Sequence, residues 1–140
     1  MDLENAFDIL SPRIFAYLRR LGLNIDDSED GVQEVFLRAM KSRIDWDKPS
    51  SYLFKIAHNY AMDLLRKPKT DPLENIELIA MDYYEDDFLA PLSKEEKSIL
   101  LMLYQEEMSY DDISKICEKP IGTLKSIVYR AKEKIKDQSL

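Results

Sequence analysis

Pro120-Ile121-Gly122-Thr123-Leu124-Lys125-Ser126-Ile127-Val128-Tyr129-Arg130-Ala131-Lys132-Glu133-Lys134-Ile135-Lys136 carries apolar side chains at Ile121, Leu124, Val128, Ala131 and Ile135. Steps of three and four residues put these five on one stripe of a helix. Pro120 stands where a helix can begin. If the stripe faces a core, Lys125, Tyr129, Lys132 and Lys136 emerge on the far side, flanked by Gly122, Ser126 and Arg130. From Lys119 to Lys136 there are six Lys or Arg and one acid, Glu133, a local net charge of +5.

Immediately upstream, Ser109-Tyr110-Asp111-Asp112 is a helix-start signal, and Ile113 and Ile116 follow as a buried pair. The break at Glu118-Lys119-Pro120 is short. Two helices joined this closely make a helix-turn-helix candidate. In a major groove the N–H groups of the second helix can meet phosphate while Lys125 and Ser126 reach base edges. Periodicity alone fits equally well a solvated terminal helix whose lysines match its own dipole. The helix-turn-helix spacing favours DNA. Farther upstream, Ser93-Lys94-Glu95-Glu96 is a capping box, with Ile99, Leu100 and Leu103 as the core stripe behind it.

The N-terminal part reads as a separate bundle over residues 1–67. Phe7, Leu10, Ile14, Leu18 and Leu21 draw one apolar stripe. Pro12 either starts that helix, with Ser11 as its cap, or kinks a longer one, and Gly22 ends it. A second helix is expected from about Ser28, burying Val32, Val35, Phe36, Ala39 and Met40 and stopping before Trp46-Asp47-Lys48-Pro49. A third starts at Ser50 or Ser51, buries Leu53, Ile56, Ala57, Tyr60, Ala61 and Leu64, and ends at Pro68. The fold class is therefore all-α, two small helical domains. Residues 68–91, with three prolines and the run Asp82-Tyr83-Tyr84-Glu85-Asp86-Asp87, read as an acidic linker, with one short turn near Leu73 to Ile79. Residues 92–140 form the second domain.

The whole chain is acidic, with 20 Lys or Arg against 27 Asp or Glu and a net charge of −7. Taken in bulk, that counts against a nucleic-acid partner. Divided by segment it does not: residues 1–67 net −1, residues 91–140 net 0, and residues 68–90 net −6. The imbalance describes the linker. Only 3 Gly, 3 Val and 2 Thr stand against 18 Leu and 13 Ile, which disfavours a strand-rich fold. The longest apolar run, Ile99 to Tyr104, is too short to cross a bilayer, and the acidic Met1-Asp2-Leu3-Glu4 lacks the order of a signal peptide. One cysteine, Cys117, allows no intrachain disulfide and suits a cytoplasmic setting. One histidine, His58, and one cysteine cannot build the usual zinc cluster, and no phosphate-binding or nucleophile-elbow motif is present. No enzyme, cofactor, metal, membrane insertion or small-molecule substrate is expected.

Two long stretches resemble a known family in family order. Leu92 to Lys97, Tyr110 to Ile113 and Pro120-Ile121-Gly122-Thr123-Leu124-Lys125-Ser126 resemble the fourth conserved region of bacterial sigma factors of the extracytoplasmic-function group. Asp27 to Ala39 resembles the polymerase-binding helix of that family's second region, and Tyr52 to Arg66 its promoter-melting helix. The resemblance implies that Asp30, Gln33, Glu34, Leu37 and Arg38 meet core RNA polymerase. It implies that Trp46 to Ser51 form the loop capturing an unstacked base of the minus-ten element, with Tyr52, Lys55, His58, Asn59 and Arg66 lining the DNA-facing surface beside it. Trp46 itself is expected to pack, and His58 to lie on the surface near phosphate. Gly122, Thr123, Lys125, Ser126, Tyr129, Arg130 and Lys132 fall at the recognition helix of the minus-thirty-five element. Partners would be core polymerase, promoter DNA and the anti-sigma factor that such proteins commonly have.

This chain departs from the family pattern in the second domain. Ile127 and Lys132 stand where arginines are usual, which removes bidentate guanidinium contacts. Glu118 replaces the usual turn glycine and Ser114 the usual alanine. A left-handed turn at Glu118 carries strain, so the turn is expected to differ. Two other readings stand beside the sigma factor: a helix-turn-helix regulator that does not initiate transcription, and an interaction module acting through its acidic segment. In the sigma reading, the 24-residue tether reaches at most ~80 Å, about two turns of duplex. Its negative charge would suit a basic channel of the polymerase.

Overall fold

Asp2 opens the first helix, α1 (Leu3–Leu21), its carboxylate accepting the Asn5 N–H at 2.8 Å. In this computed structural model residues 2–46, 48–66 and 89–138 are described. The expected turn at Leu73 to Ile79 and the acidic run Asp82 to Asp87 lie outside them. The chain divides into two units, Met1–Tyr84 and Glu85–Leu140. Among the described residues all regular structure is helical.

In the first unit, α1 continues through Pro12, so the helix is the longer of the two expected and does not start at Ser11. Gly22 ends it at φ 108°, with Gly22 N–H bonded to the Arg19 carbonyl and Leu23 N–H to the Leu18 carbonyl. That reciprocal closure needs a left-handed residue, which glycine adopts without penalty. Helix α2 (Ile25–Met40) starts a turn earlier than Ser28. Asn24 takes the cap, accepting the Asp27 N–H at 2.7 Å, and Ser28 is buried inside the helix. Asn is as good a cap as Ser, and burial of Leu23 fixes its position. Helix α3 (Ser50–Arg66) follows a buried Pro49.

The three helices close over Leu10, Ile14, Leu18, Val35, Leu53 and Phe54, with Tyr17 edge-on to Phe54 at 5.3 Å. Gly31 is where they approach most tightly. A Cβ there would sit 2.6 Å from Leu18 Cδ1 and 2.8 Å from Tyr60 Cε1. Two expected core residues are outside: Phe7 is 46% and Met40 60% exposed. Ala6 is buried beside Phe7, and Ala39, expected inside, is buried beside Met40, while Leu10, Ile14, Leu18 and Leu21 keep the expected stripe.

In the second unit, α4 (Lys94–Leu100) carries the full capping box between Ser93 and Glu96. It runs on into a π-helical turn, Leu101–Gln105, which periodicity did not foretell. Glu107 reverses the chain at φ 54°. Ser109 then caps α5 (Tyr110–Cys117), and α6 (Ile121–Gln138) follows three residues later. Ile99, Met102, Ile113, Leu124, Val128 and Ala131 are the core. The extra residue of the π turn buries Met102, while the expected Leu103 is half-buried. Ile121, placed in the core by the 3–4 pattern, is 38% exposed at the first position of α6.

Candidate nucleic-acid and protein interfaces

Gly122, Thr123, Lys125, Ser126, Tyr129, Arg130 and Lys132 are all exposed along α6. Lys125, Ser126, Tyr129 and Arg130 border one shallow groove. The Ser126 hydroxyl donates to the Gly122 carbonyl at 3.2 Å, and Arg130 Nε to the Ser126 carbonyl at 3.4 Å. The guanidinium therefore lies along the helix with the rest of its donors outward. Tyr129 is 67% exposed, a large planar side chain turned mostly to solvent. A Cβ on Gly122 would touch nothing within 4 Å, so the start of α6 is open to the close approach of another backbone.

Two tyrosines that the helical period does not single out complete this face. Lys125 Nζ stands 5.6 Å from the Tyr110 ring centroid and Lys132 Nζ 4.9 Å from that of Tyr104. Hydrogen bonding to Tyr104 raises the Lys132 ammonium above its ordinary value and keeps it charged. The local charge of +5 overstates what faces outward. Lys119 pairs with Glu95 at 3.4 Å and Lys134 with Glu96 at 2.9 Å, both on α4. Lys125, Arg130, Lys132 and Lys136 remain for an anionic partner.

The turn before α6 is left-handed after all. Glu118 adopts φ 56°, ψ 46°, at a cost of about 1 kcal/mol or more for a residue with a Cβ. Two hydrogen bonds close the turn: Lys119 N–H to the Ser114 carbonyl at 3.2 Å, and the Ser114 hydroxyl to the Lys119 carbonyl at 2.6 Å. Cys117 is half-buried. Burial pushes its thiol up to about 12, Glu95 adds to the rise, and Lys119 opposes it, so it is an inert filler.

On α3, Tyr52, Lys55, Asn59 and Arg66 share a stripe at spacings of three, four and seven. Tyr52, Asn59 and Arg66 are exposed, Lys55 is half-buried, and Arg66 holds Asp63 at 3.2 Å. His58 does not join them. It is 6% exposed, with Nδ1 3.5 Å from the buried Tyr17 hydroxyl. Four residues after Phe54 and beside Ala57, it turns toward α1 and, contrary to expectation, lies off the exposed stripe. In the preceding loop Trp46 is half-buried, as a packing residue would be, and Asp47 lies outside the described residues.

The outer face of α2 presents Asp30, Gln33, Leu37 and Arg38, with Glu34 half-buried and paired to Arg38 at 2.7 Å. An exposed pair of this kind adds little stability. Gln33 and Leu37 also line an apolar groove of about 450 Å³ with Leu3, Phe7, Phe36 and Met40. Phe7 stacks edge-on to Phe36 at 5.0 Å. The misplaced Phe7 and Met40 thus belong to a surface, visible in sequence only as an apolar stripe wider than one core needs. The carboxylates at the start of α2 act together on their surroundings. Burial, then Asp30 and Asp26, pushes the Asp27 carboxyl up. Burial, then Asp27, Asp30 and Glu34, pushes up the Tyr60 hydroxyl, which donates to the Asp27 carbonyl at 3.2 Å.

Among the described residues no cluster of side chains suits a metal, and no helix is long and apolar enough to cross a membrane. The Sigma-70 region 2 family model matches residues 7–70, and the Sigma-70 region 4 model residues 86–135. The chain is 30% identical to the ECF RNA polymerase sigma factor EcfG of Rhodopseudomonas palustris (strain TIE-1), covering 91% of this chain and 81% of that protein. It is 25% identical to the ECF RNA polymerase sigma factor SigW of Bacillus subtilis (strain 168), over 94% and 85% of the two chains. Its fold is similar to that of the sigma factor RpoE in complex with the anti-sigma factor NepR from Bartonella quintana. That match has a TM-score of 0.74 at 22% identity and covers 97% and 95% of the two chains.

Proposed function

Because the chain belongs to the extracytoplasmic-function sigma factors of the sigma-70 family, we propose a division of labour between its two units in directing core RNA polymerase to promoters. The observation that carries the reading is the outward face of α6, where Lys125, Ser126, Tyr129 and Arg130 stand together on the second helix of a helix-turn-helix. That face enters the major groove of the minus-thirty-five element. Ser126 and Tyr129 lie against base edges and the thymine methyl. Lys125, Arg130 and Lys132 meet phosphate and guanine acceptors.

Residues 1–67 bind polymerase and hold the minus-ten element. Asp30, Gln33, Glu34, Leu37 and Arg38 offer a charged rim beside an apolar groove, a combination suited to a helical partner with its own charges. Tyr52, Lys55, Asn59 and Arg66 follow the opened strand. An aromatic ring, two cations and an amide are the groups needed to stack an extruded base, read its edge and hold its phosphates. Residues 68–91 tether the halves, so that two weak DNA contacts reinforce each other through effective concentration. An anti-sigma factor is the regulator this reading includes, and the cytoplasm, where polymerase works, is its location.

Transcription in vitro with purified core polymerase, this protein and a library of promoter fragments tests the assignment, with start sites read by sequencing. Initiation at a shared pair of upstream and minus-ten sequences is expected. A protein that binds DNA yet yields no added start sites and no polymerase co-elution would instead be a regulator without initiating activity.

A further inference from the structure

We propose that Ser114 is a positioning residue for promoter recognition. Its hydroxyl locks the left-handed turn at Glu118 that aims α6, offsetting the absence of a glycine there. The inference rests on the reading of α6 as the DNA-recognition helix.

Glu118 holds φ 56°, ψ 46°, a conformation that any residue with a Cβ leaves when nothing restrains it. The restraint is local and reciprocal. The Lys119 N–H donates to the Ser114 carbonyl at 3.2 Å, and the Ser114 hydroxyl donates to the Lys119 carbonyl at 2.6 Å. The second bond is the shorter, and only a hydroxyl at position 114 can make it; alanine would leave that carbonyl without this donor. Lys119 is held at a third point, its Nζ 3.4 Å from Glu95 on α4. Pro120 comes next and has no N–H of its own to fix the chain. Its carbonyl accepts the Leu124 N–H at 3.1 Å, so α6 begins directly beyond the lock.

Geometry makes this turn matter to recognition. Leu124, Val128 and Ala131 set how deeply α6 is seated, but apolar burial is non-directional and resists small rotations weakly. At a rise of ~1.5 Å per residue, Lys132 lies ~20 Å along the axis from the turn, so a tilt of ~10° there moves it by ~3 Å. Base-edge readout fails well within that distance. Ser114 and Glu118, two separate departures from the family pattern, therefore meet in one turn and form a single unit.

The test uses the full chain as S114A, E118G and the double variant. One readout is amide exchange at Lys119. The other is the ability of holoenzyme, reconstituted with core polymerase, to discriminate selected promoter fragments from copies with a scrambled upstream element. S114A is expected to speed Lys119 exchange and to cut discrimination by about 5-fold, the effect of one ordinary hydrogen bond. Polymerase affinity stays unchanged. Adding E118G restores both readouts to within about 2-fold, because glycine needs no lock. Unchanged discrimination in S114A, or a double variant no better than S114A, overturns the proposal. A wild-type holoenzyme blind to the upstream element would sink the reading of α6, and this role with it. Lys119 exchange would still report whether the lock exists, which tells the two failures apart.

Discussion

Replacing Gly31 by alanine sets two well-measured effects against each other. In a helix interior the change gains about 1 kcal/mol of propensity. The new methyl would sit 2.6 Å from Leu18 Cδ1 and 2.8 Å from Tyr60 Cε1, distances that real Cβ atoms do not tolerate. Leu18 is fully buried, so its side chain can yield only by displacing its neighbours. Tyr60 can swing outward only by giving up its hydrogen bond to the Asp27 carbonyl, a loss of about 1 kcal/mol. Overpacking of a full core adds about 2 kcal/mol. The net expectation is a destabilisation of about 2 kcal/mol, a midpoint shift of about 2 M urea for a unit this small. Trp46 is the only tryptophan and lies in the first unit, so its fluorescence reports that unit alone. The double variant L18A/G31A should lose less than the two single changes added together, because the methyl then has room. A Gly31→Ala midpoint at or above the wild-type value would refute the close approach of α1, α2 and α3.

Gly122→Ala should behave in the opposite way. It should stabilise the second unit by about 0.5 kcal/mol, since its methyl meets nothing, while weakening upstream-DNA binding because the methyl fills the open approach. Lys125→Ala with Arg130→Ala should lower upstream affinity and reduce its salt slope by about 2, with polymerase affinity unchanged; an equal loss of polymerase binding would count against the assignment of α6. For Glu96, burial acts to raise the carboxyl, but the bonds from Lys134 and Ser93 prevail and hold it below the usual carboxylate range. Its stabilisation is therefore present above that range and lost as pH falls through the folded value. Exchange protection of α4 and α6 should fade on acidification, and Glu96→Gln should flatten that dependence. Cys117, pushed up to about 12, should alkylate at least ~100-fold more slowly than free cysteine at neutral pH in the native protein, and at an ordinary rate in urea.

Signals that act within a few residues are legible in the amino-acid order itself. The Ser93 capping box, the Ser109 cap, the Gly22 stop and the third-helix start near Ser50 all depend on groups one turn apart. What escapes such a reading depends on neighbours distant in sequence. Phe7 and Met40 fit the apolar period, yet each stands at the edge of its stripe, and only the docking of α1 on α2 decides that this edge stays outside. His58 is expected at the surface from the resemblance, and the Tyr17 hydroxyl that accommodates it is 41 residues away. On α6 the exposed stripe follows from spacing. Which of its lysines face α4 does not, since Glu95 and Glu96 enter only through packing.

The two lysines held over rings carry a last consequence. A lysine free in water samples many rotamers, and fastening it to a phosphate forfeits up to ~2 kcal/mol of that freedom. With Lys132 over Tyr104 and Lys125 over Tyr110, part of this narrowing accompanies folding of the unit rather than arrival of the polyanion. On the reading of α6 as the recognition helix, an approaching duplex then meets ammonium groups whose positions folding has already narrowed. Fewer encounters then fail while the side chains search for it. Such a helix makes up in readiness some of what it lacks in guanidinium groups.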